Sequence, residues 1–460
     1  MSAASVRLAM GGNLFGALDP AARLREVPWE ALAGLGPVVA AALGPVLAGG
    51  PAAAKPAERA LDRLLRSHRG LSAAQRQACA EALFGVALWR RRLLCQAGLH
   101  AEAEACGETD APPADAGLLL CSLLRDLGGA AEERAVLLSG CGRAPAQGQP
   151  RTWGERLSFP LWLEERLARD LGAEAEAFAA AVSTPGPIFL RPNPLRGDPA
   201  ALAEELRRDD VQTTPCLLAT GGLRVTSLRP NLLVLKAFRQ GRFEVQDEGS
   251  QLLGALVGAL PGETVFDACA GAGGKSLQLA ASMGNRGRVI CADPDGGRLL
   301  RLRERADRAG AEIVEVAGSE APGDLLADRV LVDAPCSETG ALRRGPDARW
   351  RIDPQALTAL PALQLEILVK ASRHLRPGGR LVYATCSVLR AENDEVAEAF
   401  ERAHPEFVRR APGAGWREPS LLRGGFFTAM PHLHGTDGFF AAVWERASPP
   451  GAGVVDSRMP

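Results

Sequence analysis

The chain has 460 residues, a formal net charge of −1 and 47% hydrophobic residues. That length exceeds one ordinary core and calls for two or three domains, and the near-neutral charge excludes a globally basic nucleic-acid binder, leaving only local patches for such a role. Pro37, Pro45, Gly49, Gly50 and Pro51 interrupt the apolar N-terminal stretch, so no run of about 18 apolar residues exists to span a membrane, and the basic start and cleavage site of a signal peptide are missing.

Residues 1–150 are rich in Ala, Leu, Gly and Pro. Helical periodicity runs over 57–69 and over 72–97, where Leu83, Val86, Ala87, Leu93 and Leu94 share a face. Arg90, Arg91 and Arg92 put a basic cluster on the second helix, read as a solvated face or as an RNA-phosphate contact. Pro112 and Pro113 break the pattern, a shorter helix follows at 115–127, and 140–150 reads as a linker. Residues 151–243 mix helices at 160–182 and 198–208 with strand-like pieces at 187–190, 216–218, 223–225 and 232–234, the pattern of a small α+β domain.

From Phe243 onward the alternation is regular. Strands are expected at 264–268, 288–292, 329–333 and 380–384, and helices at 249–259, 275–283, 296–309, 355–375 and 391–403. Alternation of this kind builds a doubly wound, mostly parallel α/β sheet. An apolar strand at 438–444 closes the domain, and the Gly/Pro-rich tail 448–460 is expected to be disordered.

The chemistry gathers at the carboxyl ends of these strands. After Asp267, the turn Cys269, Ala270, Gly271, Ala272, Gly273, Gly274 and Lys275 leads into a helix, a cradle for a nucleotide-like ligand. Asp293 ends the next strand, near the spacing of about 20 residues at which an acid meets a ribose hydroxyl. The spacing alone leaves adenosyl and dinucleotide ligands both open. Two further strands end in Asp333-Ala334-Pro335-Cys336 and in Thr385-Cys386, on the edge where an open α/β sheet binds ligands.

A cytosine-modifying reaction would need such a set. Carbon five of cytosine is a poor nucleophile until a thiolate adds to carbon six, and an acid near the ring nitrogen stabilises the charge that develops. A second thiol can assist the final expulsion. The chain's ten cysteines are scattered and read as reduced thiols of a cytosolic protein with no metal site; Cys269 and Cys291 read as small core residues.

Phe243–Asp247, Asp267–Ser276, Asp333–Ser337, Thr339–Trp350 and Tyr383–Ser387 together resemble, in the right order, the RNA cytosine-C5 methyltransferases of the Sun/RsmB (NOL/NOP/Sun) group. The resemblance implies a Rossmann-like class I methyltransferase domain over 244–447, a small α+β domain over 151–243 and an N-terminal helical, NusB-like RNA-binding domain over 1–150. It implies S-adenosylmethionine as methyl donor, held by Cys269–Lys275, Asp293, Ser319 and Asp333. It implies Cys386 as the nucleophile, Cys336 as the thiol that assists release, and Asp333 as the group that contacts the cytosine.

Lys275 is expected near Asp333 or the cofactor carboxylate. Arg343, Arg344, Arg349 and Arg351, with Arg191 and Asn193, are expected to contact RNA. Arg298, Arg301, Arg305 and Arg308, at helical spacing, are expected to form a solvated face. Two departures stand out: Ala272 where the group has proline, and Gly318-Ser319 where it has Gly-Asp, from which weaker cofactor binding is expected. The expected protein is a cytoplasmic monomer that methylates small-subunit rRNA. The alternatives are a tRNA methyltransferase of the same chemistry and a non-catalytic RNA-binding scaffold, which cofactor binding would separate. DNA methylation fits less well, since no companion DNA-type motif is present.

Overall fold

The computed structural model describes residues 19–48, 55–106, 115–227, 230–411 and 419–448. The expected break at Pro112 and Pro113 and all but the first residue of the expected tail lie outside them. The chain forms two compact units. The first takes the chain up to Gly186 together with Ala341–Thr358 and Pro431–Leu433, and the second takes the rest. The boundary read near residue 150 falls inside the first unit.

The first unit is helical. Its central element, Ala73–Gln96, starts where the Ser72 side chain accepts the Gln75 N–H and Gln75 returns a bond to the Ser72 N–H. This reciprocal cap satisfies two helix-end donors. The helix bends at Trp89, whose backbone leaves helical geometry, and buries Leu83, Val86, Leu93 and Leu94 against Leu119, Leu120, Leu123 and Leu124. The expected single helix over 160–182 is two, Leu161–Leu171 and Ala175–Val182, because Gly172 turns to φ +55° between them.

Arg90 and Arg91 are buried, neither on a solvated face nor open to phosphate. Arg91 Nη1 donates to Glu164 Oε2 at 2.6 Å and to the Phe159 carbonyl at 2.8 Å. The helix turns Arg91 inward because a buried carboxylate and a free carbonyl await it there, while Arg90 lies over the Trp350 ring at 5.9 Å.

The second unit holds two sheets. The small one comprises β1 (Phe189–Pro192), β2 (Thr213–Pro215), β3 (Leu223–Val225) and β4 (Phe243–Val245), all antiparallel, in the order β2-β3-β1-β4. Two expected strands are absent from it. Residues 216–218 lie in a turn closed by the Cys216 N–H on the Gly222 carbonyl, and Leu232–Val234 is a single 3-10 turn beyond Pro230. Proline cannot donate to a strand ladder, and a turn follows it readily.

The large sheet contains β5 (Thr264–Asp267), β6 (Arg288–Ala292), β7 (Val314–Gly318), β8 (Ala327–Asp333), β9 (Leu375–Thr385), β10 (Phe407–Arg409), β11 (Leu422–Arg423), β12 (Phe426–Ala429) and β13 (Phe439–Arg446). Its order is β11-β12-β13-β9-β8-β5-β6-β7, with β10 paired to β13. Strands β7, β6, β5, β8 and β9 run parallel, and β13 joins β9 antiparallel. The chain leaves β5 toward β6 and β7, then returns to β8 on the other side of β5. That reversal is the switch point at which open sheets bind ligands. One face packs on Leu253, Leu277, Leu279 and Leu302, the other on Leu368, Val396 and Phe400. Strand β7 is not among the strands expected from periodicity; its Val-Glu-Val-Ala alternation marks a half-exposed edge strand.

Candidate active site

Buried, β-branched and apolar residues carry β5, β6, β8 and β9 through the core, and each strand delivers a polar residue as it emerges. Asp267 leaves β5 almost fully buried. Its Oδ2 accepts the Ser276 hydroxyl at 2.7 Å, while Oδ1 has no partner. Burial raises its pKa to about 6, against the Ser276 bond, with the charge of Asp333 adding to the rise.

The loop that follows is held from several sides. The Ala270 N–H bonds the Ala292 carbonyl, and Gly271 donates to Asp293 Oδ2 at 3.0 Å. Gly273 takes φ +86°, and a Cβ there would meet Leu302 at 2.8 Å. At Gly271, Gly274 and Gly318 an added Cβ meets nothing within 4 Å, although Gly271 and Gly318 also take positive φ. Open space over a small-residue loop, with an unpartnered buried carboxylate oxygen at its root, suits a nucleoside-like ligand.

Asp293 also accepts the Asp295 N–H at 2.8 Å, so its carboxylate is aimed by two backbone donors. Ser319 is exposed just beyond β7, whose Gly318 carbonyl accepts the Asp293 N–H. Cys269 is half-buried, its thiol pushed up by burial and by Asp267, Asp333 and Asp293.

Beside this cradle, Lys275 Nζ donates to Asp333 Oδ2 at 2.5 Å. Of the two partners expected for Lys275, the structure shows Asp333. Burial alone would lower the lysine pKa, but the charge and hydrogen bond of Asp333 outweigh it and the pKa is raised. Register sets Asp333 of β8 opposite Ala384 of β9, and the two loops leaving these adjacent strands carry Cys336 and Cys386. Their sulfurs lie 3.4 Å apart. The hydrogen bond with Cys336, then burial, then the neighbouring charges raise the Cys386 pKa well above the ordinary thiol value.

The arginines fall elsewhere. Arg349 is 1% exposed, donates to the Leu157, Ser158 and Val182 carbonyls and lies over the Phe159 ring at 4.0 Å, all within the first unit. Arg191 is buried against Gln246, at 2.6 Å, beside Glu244. Asn193 spends its amide on the Gly241 and Ala309 carbonyls. These three side chains brace the fold and present no donor to an RNA phosphate. Arg351 pairs with Asp347 at 2.8 Å. Arg344 is exposed and Arg343 half-buried.

The helix Gly296–Ala309 also departs from expectation. Arg305 donates to the Ala272 carbonyl and, with Arg308, to the buried carboxylate of Glu244. Only Arg298 and Arg301 of that set are solvated. Neither periodicity nor motif gives a role to Glu244 or to Glu392, and only the fold brings them into use. Among the described residues, folding also gathers Cys95, His100 and Glu155, with ligand atoms within 4.8 Å of one another. There the Cys95 thiol, pushed up to about 12 by burial and by Glu155, stays protonated on the carboxylate.

A family model described as 16S rRNA methyltransferase RsmB/F matches residues 256–445, and a second, described as the RsmF/B-like ferredoxin-like domain, matches 159–230. A probable ribosomal RNA small subunit methyltransferase B of Synechocystis is 31% identical over 430 residues, covering 84% of this chain and 95% of the relative. The chain belongs to the RsmB/F family of 16S rRNA methyltransferases. The small subunit methyltransferase B of Xylella fastidiosa (strain 9a5c) is 36% identical, over 62% of this chain and 68% of that one. The crystal structure of PH0851 superposes with a TM-score of 0.68 at 26% identity, over 94% of this chain and 99% of that one. NSun6 from Pyrococcus horikoshii shares the fold, with a TM-score of 0.58 at 20% identity over 63% of this chain and 99% of that one. No helix among the described residues is long and apolar enough to cross a membrane.

Proposed function

We propose that this methyltransferase modifies carbon five of a cytosine in small-subunit ribosomal RNA, in the cytoplasm, through a covalent adduct on Cys386. The observation that carries the reading is the pair of sulfurs 3.4 Å apart at the ends of adjacent strands, with the Lys275–Asp333 pair beside them. One thiol beside an acid would serve many reactions. Two thiols in contact at a ligand edge suit a base that must be both attacked and released.

S-adenosylmethionine fits the cradle: Cys269–Gly274 would enclose it, Asp293 would take its ribose hydroxyls, and Asp267 offers an unpartnered oxygen at the root. When bound, it supplies the sulfonium methyl group that carbon five takes. The protein side of the reaction is proton and thiol chemistry. Cys386 rests as a protonated thiol, its pKa raised by Cys336 and burial. As its sulfur bonds carbon six of the extruded base, the S–H proton passes to the ring nitrogen by way of Asp333, which Lys275 orients. After methylation, Cys336, acting as the thiolate, takes the carbon-five proton, the Cys386–carbon bond breaks, the ring nitrogen returns its proton to Cys386, and Cys336 releases its proton to solvent. One proton leaves per methyl transferred, so the cycle balances.

The test is methyl transfer from labelled S-adenosylmethionine to unmodified 16S rRNA and to unmodified tRNA. Wild type is expected to label 16S rRNA at a cytosine. Cys386→Ala is expected to be inactive, and Cys336→Ala to accumulate a protein–RNA adduct. Labelling of tRNA alone would overturn the substrate; S-adenosylmethionine binding without transfer to either RNA would favour a scaffold.

A further inference from the structure

The two cysteine-bearing loops are joined by one buried acid that the reaction above does not use. Glu392 is 1% exposed and lies in the short turn that opens the helix Asp394–Ala403. Its Oε2 accepts the Ser337 backbone N–H at 2.8 Å, next to Cys336. Its Oε1 accepts the Ser387 hydroxyl at 2.8 Å, next to Cys386. Gln364 donates to the same Oε2 at 3.0 Å and to the Pro335 carbonyl at 2.9 Å, tying the first loop a second time. Tyr383, the single tyrosine of the chain, donates its hydroxyl to the Glu392 carbonyl at 2.5 Å and so anchors the acid to β9 itself.

Around this acid the hydroxyls of Ser337, Thr339 and Ser387 lie 3.1 Å from one another. The Gly340 N–H reaches the Cys386 carbonyl at 2.9 Å. The first loop needs such pins, because Glu338 sits at φ +56°, a conformation a non-glycine residue holds only when its surroundings impose it. A buried carboxylate is costly unless every lone pair is used. Here the donors come from both loops and from the helix Pro354–Ser372, an arrangement that fixes positions.

We propose that Glu392 is a positioning residue for the methyl transfer: its carboxylate clamps the Cys336 loop to the Cys386 loop and thereby sets the contact between the two sulfurs. The inference rests on the two-cysteine reading. Glu392 touches neither sulfur directly, and its effect is geometric. Carboxylate geometry matters here and negative charge does not. An amide at the same place offers its oxygen to Ser337 and Gln364 and its nitrogen to the Ser387 hydroxyl, which can turn its own proton toward Thr339.

The experiment uses the full chain, unmodified 16S rRNA and S-adenosylmethionine, with Glu392→Ala, Glu392→Gln, Ser387→Ala and Cys386→Ala. Releasing the loops by an ångström is expected to lower kcat of Glu392→Ala about 100-fold, with KM for RNA and Kd for S-adenosylmethionine within about threefold of wild type. Glu392→Gln is expected to recover kcat to within about fivefold of wild type. A second readout is geometric: diamide, a thiol oxidant, joins Cys336 to Cys386 without a spacer, and this rate is expected to fall about tenfold in Glu392→Ala and to recover in Glu392→Gln.

Wild-type kcat and cross-linking in Glu392→Ala would overturn the proposal. So would a Glu392→Gln variant as slow as Glu392→Ala, since that outcome assigns the effect to charge. If Glu392→Ala does not fold, Ser387→Ala removes the Oε1 bond together with the hydroxyl's contacts to Ser337, Thr339 and the Leu389 N–H, and is expected to lose about tenfold in kcat and in cross-linking; wild-type values there would equally overturn it. Activity in Cys386→Ala would sink the two-cysteine reading instead, and the cross-linking comparison would then decide whether Glu392 clamps the loops.

Discussion

Glu244 answers three arginines at once, and its removal makes a quantitative test of how the cofactor loop is supported. Its oxygens accept Arg305 at 2.8 Å and Arg308 at 2.5 Å, and register pairs it with the buried Arg191 across β1 and β4. The carboxylate is 3% exposed, while the Arg305 and Arg308 side chains keep 28% and 17% of their surface. Breaking a fully buried pair costs about 3–5 kcal/mol, chiefly from the charge left behind. Two of the guanidiniums here can recover some water, which places Glu244→Ala near the lower end, about 3 kcal/mol.

Local opening is the quantity to measure, because a chain of two units does not unfold in one step. Amide exchange in β1 and β4 is expected to quicken about 150-fold, the factor equivalent to about 3 kcal/mol. Arg301→Ala, a change on the exposed face of the same helix, is the control and is expected to shift stability by less than about 0.5 kcal/mol. Arg305 also donates to the Ala272 carbonyl at 2.8 Å. The Kd for S-adenosylmethionine is therefore expected to rise in both Glu244→Ala and Arg305→Ala. Exchange in Glu244→Ala that matches the Arg301→Ala control would refute the reasoning, and would mean the arginines rehydrate without penalty.

Asp267 has a folded pKa of about 6 against an ordinary 3.8, with burial the leading cause. The unfolded chain therefore loses its proton first, so stability falls as pH rises from about 4 to 6 and stays reduced above that. Asp267→Asn lacks this loss: its stability relative to wild type is expected to rise by about 2–3 kcal/mol between pH 4 and pH 7.5, a difference in which the fixed cost of the amide cancels. Equal relative stability at both pH values, measured by urea denaturation, would contradict it. Ser319→Asp places an acid just beyond β7, and calorimetry is expected to show S-adenosylmethionine binding tightened about fivefold, one hydrogen bond of about 1 kcal/mol. Arg349→Ala is expected to lower the melting temperature while leaving the salt dependence of RNA binding unchanged; Arg344→Ala is expected to reduce that slope by about one. A lowered slope in Arg349→Ala would put its guanidinium on phosphate after all.

Much of the site was legible because its parts are local. The loop Cys269–Lys275 follows a strand and opens a helix, and Asp293, Cys336 and Cys386 each sit where a short apolar run stops. A parallel sheet delivers all such residues to one edge, so strand periodicity alone brings them together. Glu392 was not legible in this way. Its role depends on three donors, from Ser337, Ser387 and Gln364, that lie up to 55 residues away in the chain. Strand β7 escaped because its alternation lasts only five residues and a half-exposed edge strand has no buried apolar run to mark it.

The arginines mark where local signals stop and packing takes over. Helical spacing put Arg298, Arg301, Arg305 and Arg308 on one helix surface, and charge made a solvated face the natural reading. Only packing supplied Glu244 to two of them. Arg349 and Arg191 likewise follow motif and strand signals that suit phosphate contact, yet each is enclosed by carbonyls or a carboxylate from distant segments. The sequence determined the family, the α/β fold and the order of the reactive groups, because hydrophobic periodicity and turn chemistry act over a few residues. Which charges face solvent depends on which acceptor a fold brings within hydrogen-bonding distance. A buried guanidinium is stable only when such acceptors are there, and chain neighbours do not reveal them.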